Sequence, residues 1–560
     1  MRRLSFSACI ISLLLIIFSL TADATENPYP HARTDKYWVY FSDKGDFSAE
    51  EIEHLLNQLE AVAGPAELKR RSLANPGKRL FDYSDLPVNS AYMDEVSSYG
   101  VRIHQSSRWL NAVSVSGRMD LIRSLEKLPY VDSITTVKVY RREVPQVGGA
   151  DYVFPKPTSP TQLDYGDSFD QLDQIQVPPL HALGFSGEGI TIAVFDTGFD
   201  TAHAAFNEMD IKATYDFINN DSDVVDVFNA QRSHGTSVLA AMGGWAPGEL
   251  IGPAYGATYC LAKTEDYYDE YQGEEDNFIA ALEWADTLGC QIVSASLGYI
   301  DWYSPSDLDG NTAAITIACD AAVSRGIAVI VAAGNEGPTA TTLLTPADGD
   351  SVIAVGGVLI TDEIWYSSSR GPTADGRIKP DICANSVQVK VASYTGGFKR
   401  GNGTSFATPL TAGAAALVLE ANPTYSAVDL RQVLLSTARE PQGESVTLPN
   451  NDYGYGIVDA KTASGVDPIV TDEKVLAYPN PFDDLVSVNC QVEGDGILRG
   501  SIHSLDGIQV WEREVSVGSG AHEINWDGSN DDGEEVAAGV YLMRVTAPGI
   551  EKTIKLFKVR

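Results

Sequence analysis

The chain lacks any hydrophobic run long enough to span a bilayer comfortably. Basic residues are scarce, since 40 Lys and Arg stand against 76 Asp and Glu and give a net charge of −36. Such a chain repels phosphate backbones and anionic membrane surfaces, so no nucleic acid is expected among its partners. Cysteine is also scarce, with 6 residues in 560 at irregular spacing, which argues against a disulfide framework and a zinc site.

The first 24 residues predict a secretory signal peptide rather than part of the fold. Arg2 and Arg3 precede an apolar run from Ala8 to Leu20, and residues 22–24 form a small-x-small cleavage site. We therefore expect an exported protein. Cys9 leaves with this peptide, and the sequence leaves open whether any of the remaining cysteines are bridged.

Three regions follow, and each has its own pattern. Residues 36–145 read as strand, helix, irregular segment, strand, helix and strand, which predicts a small two-layer α+β domain with an antiparallel sheet. Ser48 and Glu51 form a capping box before its first helix. Residues 164–463 alternate apolar runs such as "GITIAVFD" with helical patterns, which predicts an α/β fold with a doubly wound, mostly parallel sheet. Residues 470–560 predict a β-sandwich.

Polar residues follow the predicted parallel strands at the edge where such sheets carry their working residues. "DTGFD" places Asp196 at a strand end, "SHGTS" places His234 at a helix start, and "AAGNEG" delivers Asn335. Ser405 opens the apolar helix of "GTSFATPLTAGAAALVLEAN". A serine nucleophile needs a base, and the base needs a third group to hold its tautomer, so Asp196, His234 and Ser405 fit a catalytic triad. Asn335 can donate to the oxyanion, together with the backbone N–H of Ser405.

Each of these residues has a simpler explanation when taken alone. Ser405 can be a helix cap, the usual role of serine at such a position. His203 also lies near Asp196, but it lacks the Gly-Thr that follows His234 and is interpreted as structural. Pro409 is expected early in its helix, where a missing N–H costs little. Four motifs in consistent order on one sheet nevertheless favour the catalytic interpretation.

Five motifs closely resemble those of the subtilisin-like serine proteases, the subtilases of peptidase family S8. They are "DTG" at Asp196, "HGTSVLA" at His234, "SLG" at Ser296, "AAGNEG" at Asn335 and "GTSFATP" at Ser405. The chain order Asp, His, Ser is that of subtilisin. The resemblance implies a secreted serine endopeptidase that works through an acyl-enzyme.

The resemblance also implies where substrate binds. Small, apolar walls would suit a large uncharged side chain, and Glu336 at the rim would admit a basic one. The walls would come from two short segments, Ser296, Leu297 and Gly298 with Ala333 and Gly334.

The flanking regions fit the same resemblance. "SSRWLNAVSVSG" and the elements before it resemble a subtilase propeptide, which implies an autoprocessed precursor inhibited by its own propeptide. "YPNPF" and "EINWDGSNDDGEEVAAGVYLMRV" resemble Ig-like C-terminal domains of secreted bacterial proteins, many of which are type IX secretion signals. We therefore expect a monomer, outside or on the surface of a bacterium, whose partners are protein or peptide substrates, its propeptide and that secretion machinery.

The expected chemistry requires no cofactor, and a structural Ca²⁺ is left open. The acidic segments "TEDYYDEYQGEEDN" and "DLDGNT" match no calcium loop by spacing. Two other functions remain as alternatives. One is a catalytically silent binding or adhesion protein with the same fold. The other is an acyl hydrolase, although lipases carry Gly-x-Ser-x-Gly rather than Gly-Thr-Ser-Phe-Ala.

Overall fold

The computed structural model describes residues 36–137, 163–225, 231–266, 273–300, 303–443, 445–466, 475–478, 482, 485–504 and 508–558. The predicted signal peptide of residues 1–24 lies outside these ranges. Within them, none of the helices is both long and apolar enough to pass through a membrane.

The N-terminal region forms an antiparallel sheet of order β2-β3-β1-β4, as predicted. Its elements are β1 (Lys36–Phe41), α1 (Ala49–Val62), α2 (Pro65–Ala74), α3 (Ser90–Ser98), β2 (Arg102–Ser107), β3 (Ala112–Ser116), α4 (Met119–Leu125) and β4 (Val131–Val137). The capping box of Ser48 and Glu51 is confirmed at the start of α1. Helices α2 and α3 were not predicted, because they occupy the segment that reads as irregular. Trp38 and Trp109 join the apolar core of the next region, so the two regions pack together.

The central region contains a seven-stranded sheet of order β13-β12-β11-β10-β5-β9-β6, with parallel pairing throughout. The predicted α/β fold with a doubly wound sheet is therefore confirmed. The elements of this region are α5 (Phe169–Asp173), α6 (Pro178–His181), β5 (Thr191–Asp196), β6 (Asp210–Asp216), α7 (Ser233–Gly243), β7 (Trp245–Ala246), β8 (Leu250–Ile251), β9 (Thr258–Lys263), α8 (Gly273–Thr287), β10 (Ile292–Ala295), α9 (Ala314–Ser324), β11 (Ala328–Ala332), β12 (Ile353–Val358), β13 (Ile382–Asn385), β14 (Val389–Ala392), β15 (Phe398–Gly401), α10 (Thr404–Ala421), α11 (Ala427–Ser436) and α12 (Ala460–Ser464).

Strand β5 is the point at which the chain changes direction across the sheet. Strand β9 pairs with one side of β5, and the next strand, β10, pairs with the other side. Open parallel sheets bind ligands beyond the carboxyl ends of their strands at such a switch point. Helices α7 and α10 pack against each other, and so do α8 and α9. We therefore expect the functional site beyond the carboxyl ends of β5, β10 and β11.

The C-terminal region consists of two antiparallel sheets around one apolar cluster that includes Trp526 and Met543. The sheets have the orders β16-β17-β20 and β19-β18-β21-β22. Their strands are β16 (Val475–Tyr478), β17 (Val486–Val492), β18 (Gly496–Ser504), β19 (Gln509–Val517), β20 (Gly520–Trp526), β21 (Gly539–Ala547) and β22 (Ile550–Lys558). The antiparallel β-structure expected here is present.

The cysteines of the described residues form no disulfide. Each is free and buried, namely Cys260, Cys290, Cys319, Cys383 and Cys490. These thiols contribute to packing as small apolar side chains.

Glu420 is an acid held largely inside the protein near the end of α10. Its carboxylate accepts hydrogen bonds from the backbone N–H groups of Ser186 at 2.9 Å and Gly187 at 2.6 Å. Burial raises the pKa of Glu420 to about 7, even though these two donors oppose the shift. The folded chain therefore keeps a proton that the unfolded chain releases near pH 4 to 5.

This raised pKa predicts that stability falls as the pH rises from about 5 through 7, because the unfolded state then binds fewer protons than the folded state. Glu420→Gln cannot ionise, and it should unfold a few degrees higher than its parent at pH 8 but not at pH 5. Thermal unfolding of both chains in an Ser405→Ala background, across this pH range, measures the difference. Glu208→Gln, at an exposed acid that is not among the groups acting on Glu420, is the control and should show no such crossover. A constant difference across the range would contradict the assignment.

Candidate active site

The structure brings Asp196 and His234 into direct contact. Asp196 is the last residue of β5 and is fully buried, whereas the His234 side chain is 30% exposed. The Nδ1 atom of His234 lies 2.9 Å from Oδ1 and 3.0 Å from Oδ2 of Asp196. Because a carboxylate can only accept, Nδ1 carries the hydrogen, and Nε2 keeps its lone pair. The imidazole is therefore held in the tautomer that a general base needs.

The residues after His234 explain why helix α7 can begin so close to β5. A Cβ at Gly235 would lie 2.3 Å from the carbonyl oxygen of Gly198 and 3.0 Å from the Cβ of Asp196. Thr236 fixes the approach, because its Oγ1 accepts from the backbone N–H of Asp200 at 2.8 Å. The Gly-Thr pair of the motif is thus a packing requirement of the contact between Asp196 and His234.

Ser405 is the second residue of α10, where the helix enters the interior. The expectation that Pro409 lies early in this helix, at little cost, is wrong, because it is the sixth residue. A proline there has no N–H for the carbonyl of Ser405, four residues earlier. The hydroxyl of Ser296, just beyond β10, donates to that carbonyl at 2.7 Å instead. The start of α10 is therefore tied to the carboxyl end of β10.

The hydroxyl of Ser405 is only weakly held. Its nearest acceptor with hydrogen-bond geometry is the carbonyl oxygen of Ser296, at 3.4 Å, which is the outer limit for such a bond. Phe406, the next residue, places its ring 6.2 Å from the imidazole ring of His234, centroid to centroid. The residue next to Ser405 thus lies beside His234, and the serine hydroxyl is only loosely bonded.

Asn335 follows β11 in an exposed turn, and Thr404 holds its side chain. The backbone N–H and the hydroxyl of Thr404 donate to Oδ1 of Asn335, at 2.9 and 3.0 Å. Since both donors face the amide oxygen, the NH₂ end points away from Thr404 and remains available as a donor. This role of Thr404 was not predicted, because its only signal in the sequence is its position beside Ser405.

The two segments predicted to line a pocket are adjacent, and a third residue lies between them. Ser296 and Ala333 are buried, and Leu297 is half-buried. A Cβ at Gly298 would lie 2.7 Å from the Cβ of Leu344, and a Cβ at Gly334 would lie 2.6 Å from its Cγ. Both glycines are therefore packed against Leu344, which was not among the predicted pocket residues.

His203 has the structural surroundings expected for it. Its Nδ1 accepts from the backbone N–H of Ala205 at 3.1 Å, and its Nε2 donates to the carbonyl of Gly397 at 2.8 Å. Both ring nitrogens are thus used by the backbone, which leaves neither for acid–base chemistry.

In the acidic segment "DLDGNT", which was considered as a calcium site, the carboxylate of Asp309 bonds its own loop. This carboxylate accepts from the backbone N–H groups of Asn311 and Thr312, each at 2.8 Å, and from the Thr312 hydroxyl at 3.0 Å. In the ranges that the structure describes, no three His, Cys, Asp or Glu side chains form a group suited to a metal. Part of the other acidic segment, residues 267–272, lies outside those ranges. A structural Ca²⁺ stays a prediction.

Two family profiles match the chain. The Subtilase family matches residues 187–456, and the Peptidase S8 propeptide domain of Bacteroidota matches residues 36–148. Subtilisin E of Bacillus subtilis (strain 168) is 28% identical over 378 residues, which cover 66% of this chain and 85% of that protein. A subtilisin of Bacillus pumilus is 31% identical over 295 residues, 52% of this chain and 97% of that protein. The crystal structure of a cold adapted subtilisin-like serine proteinase is 26% identical, with a TM-score of 0.43, and the match covers 53% of this chain and 99% of that one.

This geometry predicts that a fluorophosphonate reacts with Ser405, because His234 can take the hydroxyl proton as the oxygen attacks phosphorus. Mass spectrometry of the digested chain would locate the adduct. His234→Ala should slow labelling by at least about a hundredfold, the usual scale for loss of a general base. The matched control is His203→Gln, which should label at the parent rate. An adduct on another serine, or labelling that survives His234→Ala, would refute the assignment.

Proposed function

The chain belongs to the subtilase family and is a serine endopeptidase, and we propose that Asp196, His234 and Ser405 are its catalytic triad. The observation that carries this proposal is the contact between the imidazole of His234 and the buried carboxylate of Asp196. Burial of Asp196 favours it, because the charge then acts on the imidazole without competing water.

In the proposed reaction, Ser405 Oγ attacks the carbonyl carbon of the peptide bond while Nε2 of His234 takes the hydroxyl proton. The imidazolium returns this proton to the leaving amine as the C–N bond breaks, which leaves an acyl group on Ser405. A water molecule then repeats the sequence: its oxygen attacks the acyl carbon, His234 takes its proton, and Ser405 recovers that proton as the acid departs. Asp196 stays ionised throughout and stabilises the imidazolium.

Asn335 is the proposed side-chain donor to the oxyanion, together with the backbone N–H of Ser405. Thr404 supports this role, because its two hydrogen bonds to the amide oxygen turn the NH₂ group outward. A donor fixed before the reaction needs no reorganisation when the negative charge develops.

The flanking regions complete the proposal. Residues 36–145 act as an inhibitory propeptide that the enzyme removes from its own precursor, which is supported by the propeptide-domain match. We also propose export through the N-terminal signal sequence, a location outside or on the surface of a bacterial cell, and sorting of the C-terminal β-rich region by a type IX secretion system.

For specificity, we propose that Leu344 forms the floor of the substrate pocket between Gly298 and Gly334. Its side chain occupies the space that both glycines leave open, so a pocket between them would be short. This proposal replaces the expectation of a large uncharged side chain: the enzyme should prefer a medium-sized apolar residue before the scissile bond over a large aromatic one.

The triad proposal predicts that Ser405→Ala abolishes peptidase activity and leaves the precursor uncut, because one nucleophile performs both cleavages. Gel analysis and N-terminal sequencing of the purified full-length chain test this. The control adds a trace of active wild-type enzyme, which should cut the Ser405→Ala precursor at the normal junction. Normal maturation of the variant without added protease would exclude self-processing, and retained peptidase activity would exclude Ser405 as the nucleophile.

The pocket proposal predicts that Leu344→Ala changes substrate preference rather than overall activity. Removing the methyl groups deepens the pocket, so kcat/KM for a peptide with Phe relative to one with Leu at the residue before the cut should rise about tenfold. Leu344→Met keeps the volume and should keep the preference. Equal losses on both substrates for Leu344→Ala would mean that the residue serves only packing.

A further inference from the structure

Asp286, near the end of α8, is a fully buried carboxylate whose three guanidinium partners all come from the N-terminal region. Nη2 of Arg70 donates to Oδ1 of Asp286 at 2.6 Å. Nη2 of Arg71 and Nη2 of Arg108 donate to Oδ2 of Asp286, at 2.5 and 2.7 Å. The central region therefore supplies the acid, and residues 36–137 supply the cations.

Arg70 also reaches the backbone at the ends of two helices. Its guanidinium donates to the carbonyl oxygen of Arg325, which caps α9, and at 3.0 Å to that of Asp286 in the last turn of α8. The last carbonyl groups of a helix lack partners within the helix and carry partial negative charge. A guanidinium with several donors in a rigid fork satisfies both helix ends and the carboxylate at once.

The surface around these helix ends is complementary in shape to α2. Gly289 and Gly326 follow α8 and α9 with left-handed φ values of +74° and +89°. A Cβ at Gly289 would lie 2.9 Å from the backbone nitrogen of Glu67, and a Cβ at Gly326 would lie 2.8 Å from the carbonyl oxygen of Arg70. The glycines that end both helices also let the backbone of α2 lie directly across them.

Further charges surround this contact and balance it. Arg71 bonds Asp85 within the N-terminal region, and Asp85 also accepts from Arg325 of the central region at 2.8 Å. Arg325 lies 4.6 Å from the ring centroid of Trp109. Although burial opposes it, Arg325 and Arg71 lower the pKa of Asp85 to about 2. The acid thus stays charged in any ordinary buffer.

The contact between Asp286 and the three arginines lies far from the catalytic residues. Residue 291 follows α8 and pairs with Thr191 at the start of β5, whereas Asp196 stands at the other end of that strand. A strand of this length spans roughly 17 Å, so the contact lies at the opposite edge of the sheet from the catalytic residues. Its loss therefore acts on docking and not on the bond-breaking steps.

We propose that the ends of α8 and α9 form a guanidinium socket, made of the Asp286 carboxylate and the carbonyl oxygens of Asp286 and Arg325, which recognises Arg70 and Arg71 of α2. The socket holds the N-terminal region in place after the chain has been cut between the two regions. It rests on the proposed function only in treating residues 36–145 as a propeptide. In the mature enzyme the socket is an anionic site for an arginine pair on a helix.

The test uses the full-length chain with Ser405→Ala and a recognition sequence for an unrelated viral cysteine protease inserted between residues 138 and 162. After the added protease has cut it, size-exclusion chromatography at successive times follows release of the N-terminal fragment. The parent fragment should stay bound, and Arg70→Met should release it at least about tenfold faster, because a buried carboxylate then loses a partner. The three hydrogen bonds of the Arg70 side chain all cross to the central region, so Arg70→Met should leave the fold of the fragment intact, which circular dichroism checks.

Two further variants make the result specific. Arg79→Met changes an arginine of the same region that bonds Asn57 and Glu53 within it, and it should release the fragment at the parent rate. Asp286→Asn should release it faster, and combining it with Arg70→Met should add little, because both remove one contact. Release of the Arg70→Met fragment at the parent rate, or full additivity of the two changes, would overturn the socket. Because the added protease makes the cut, a failure of the triad proposal leaves this measurement unaffected.

Discussion

The active site depends on one unusual hydrogen bond, from the hydroxyl of Ser296 to the carbonyl of Ser405. Pro409 makes it possible, because a proline cannot satisfy that carbonyl within the helix. The bond joins the helix that carries the nucleophile to the end of β10, and Thr404, one residue earlier, joins the same helix to Asn335 beyond β11. Two neighbouring residues of α10 thereby fix the distances between elements that lie far apart in the chain.

The sequence alone predicted the parts of the site that stand at strand and helix ends. Asp196 and Asn335 were predicted because they follow apolar strands, and His234 and Ser405 because they begin apolar helices. Leu344 was missed, because an apolar residue in a loop gives no sign of which glycines it will pack against. Thr404 was considered only as part of a motif, since its hydrogen bonds depend on where Asn335 lies in space.

The N-terminal region shows a second reason why part of the structure could not be predicted from the sequence. Helix α2 contains "PAELKRRSLA", which lacks the apolar stripe of a helix that buries one face on its own domain. Its buried side chains include Glu67, Arg70 and Arg71, and the carboxylate that both arginines share, Asp286, lies on another region of the chain. Charged residues are almost never fully buried unless they are paired. The carboxylate that pairs with Arg70 and Arg71 lies more than 200 residues away, so the sequence of α2 alone does not show that these side chains are buried. Charge complementarity between regions, rather than periodicity within one, decides this part of the fold.

The order of strands in the large sheet has a consequence for the lifetime of the protein. Because β5 pairs with β9 and β10, and never with the strand that follows it in the chain, each of its partners is at least about 60 residues distant. Contacts between such distant segments require large loops to close before any pairing energy is gained, which makes folding slow. If the same barrier also opposes unfolding, the time the molecule survives is governed by the height of that barrier and not by the equilibrium between its states. A chain that opens rarely is also cut rarely, because proteolysis acts on the opened state.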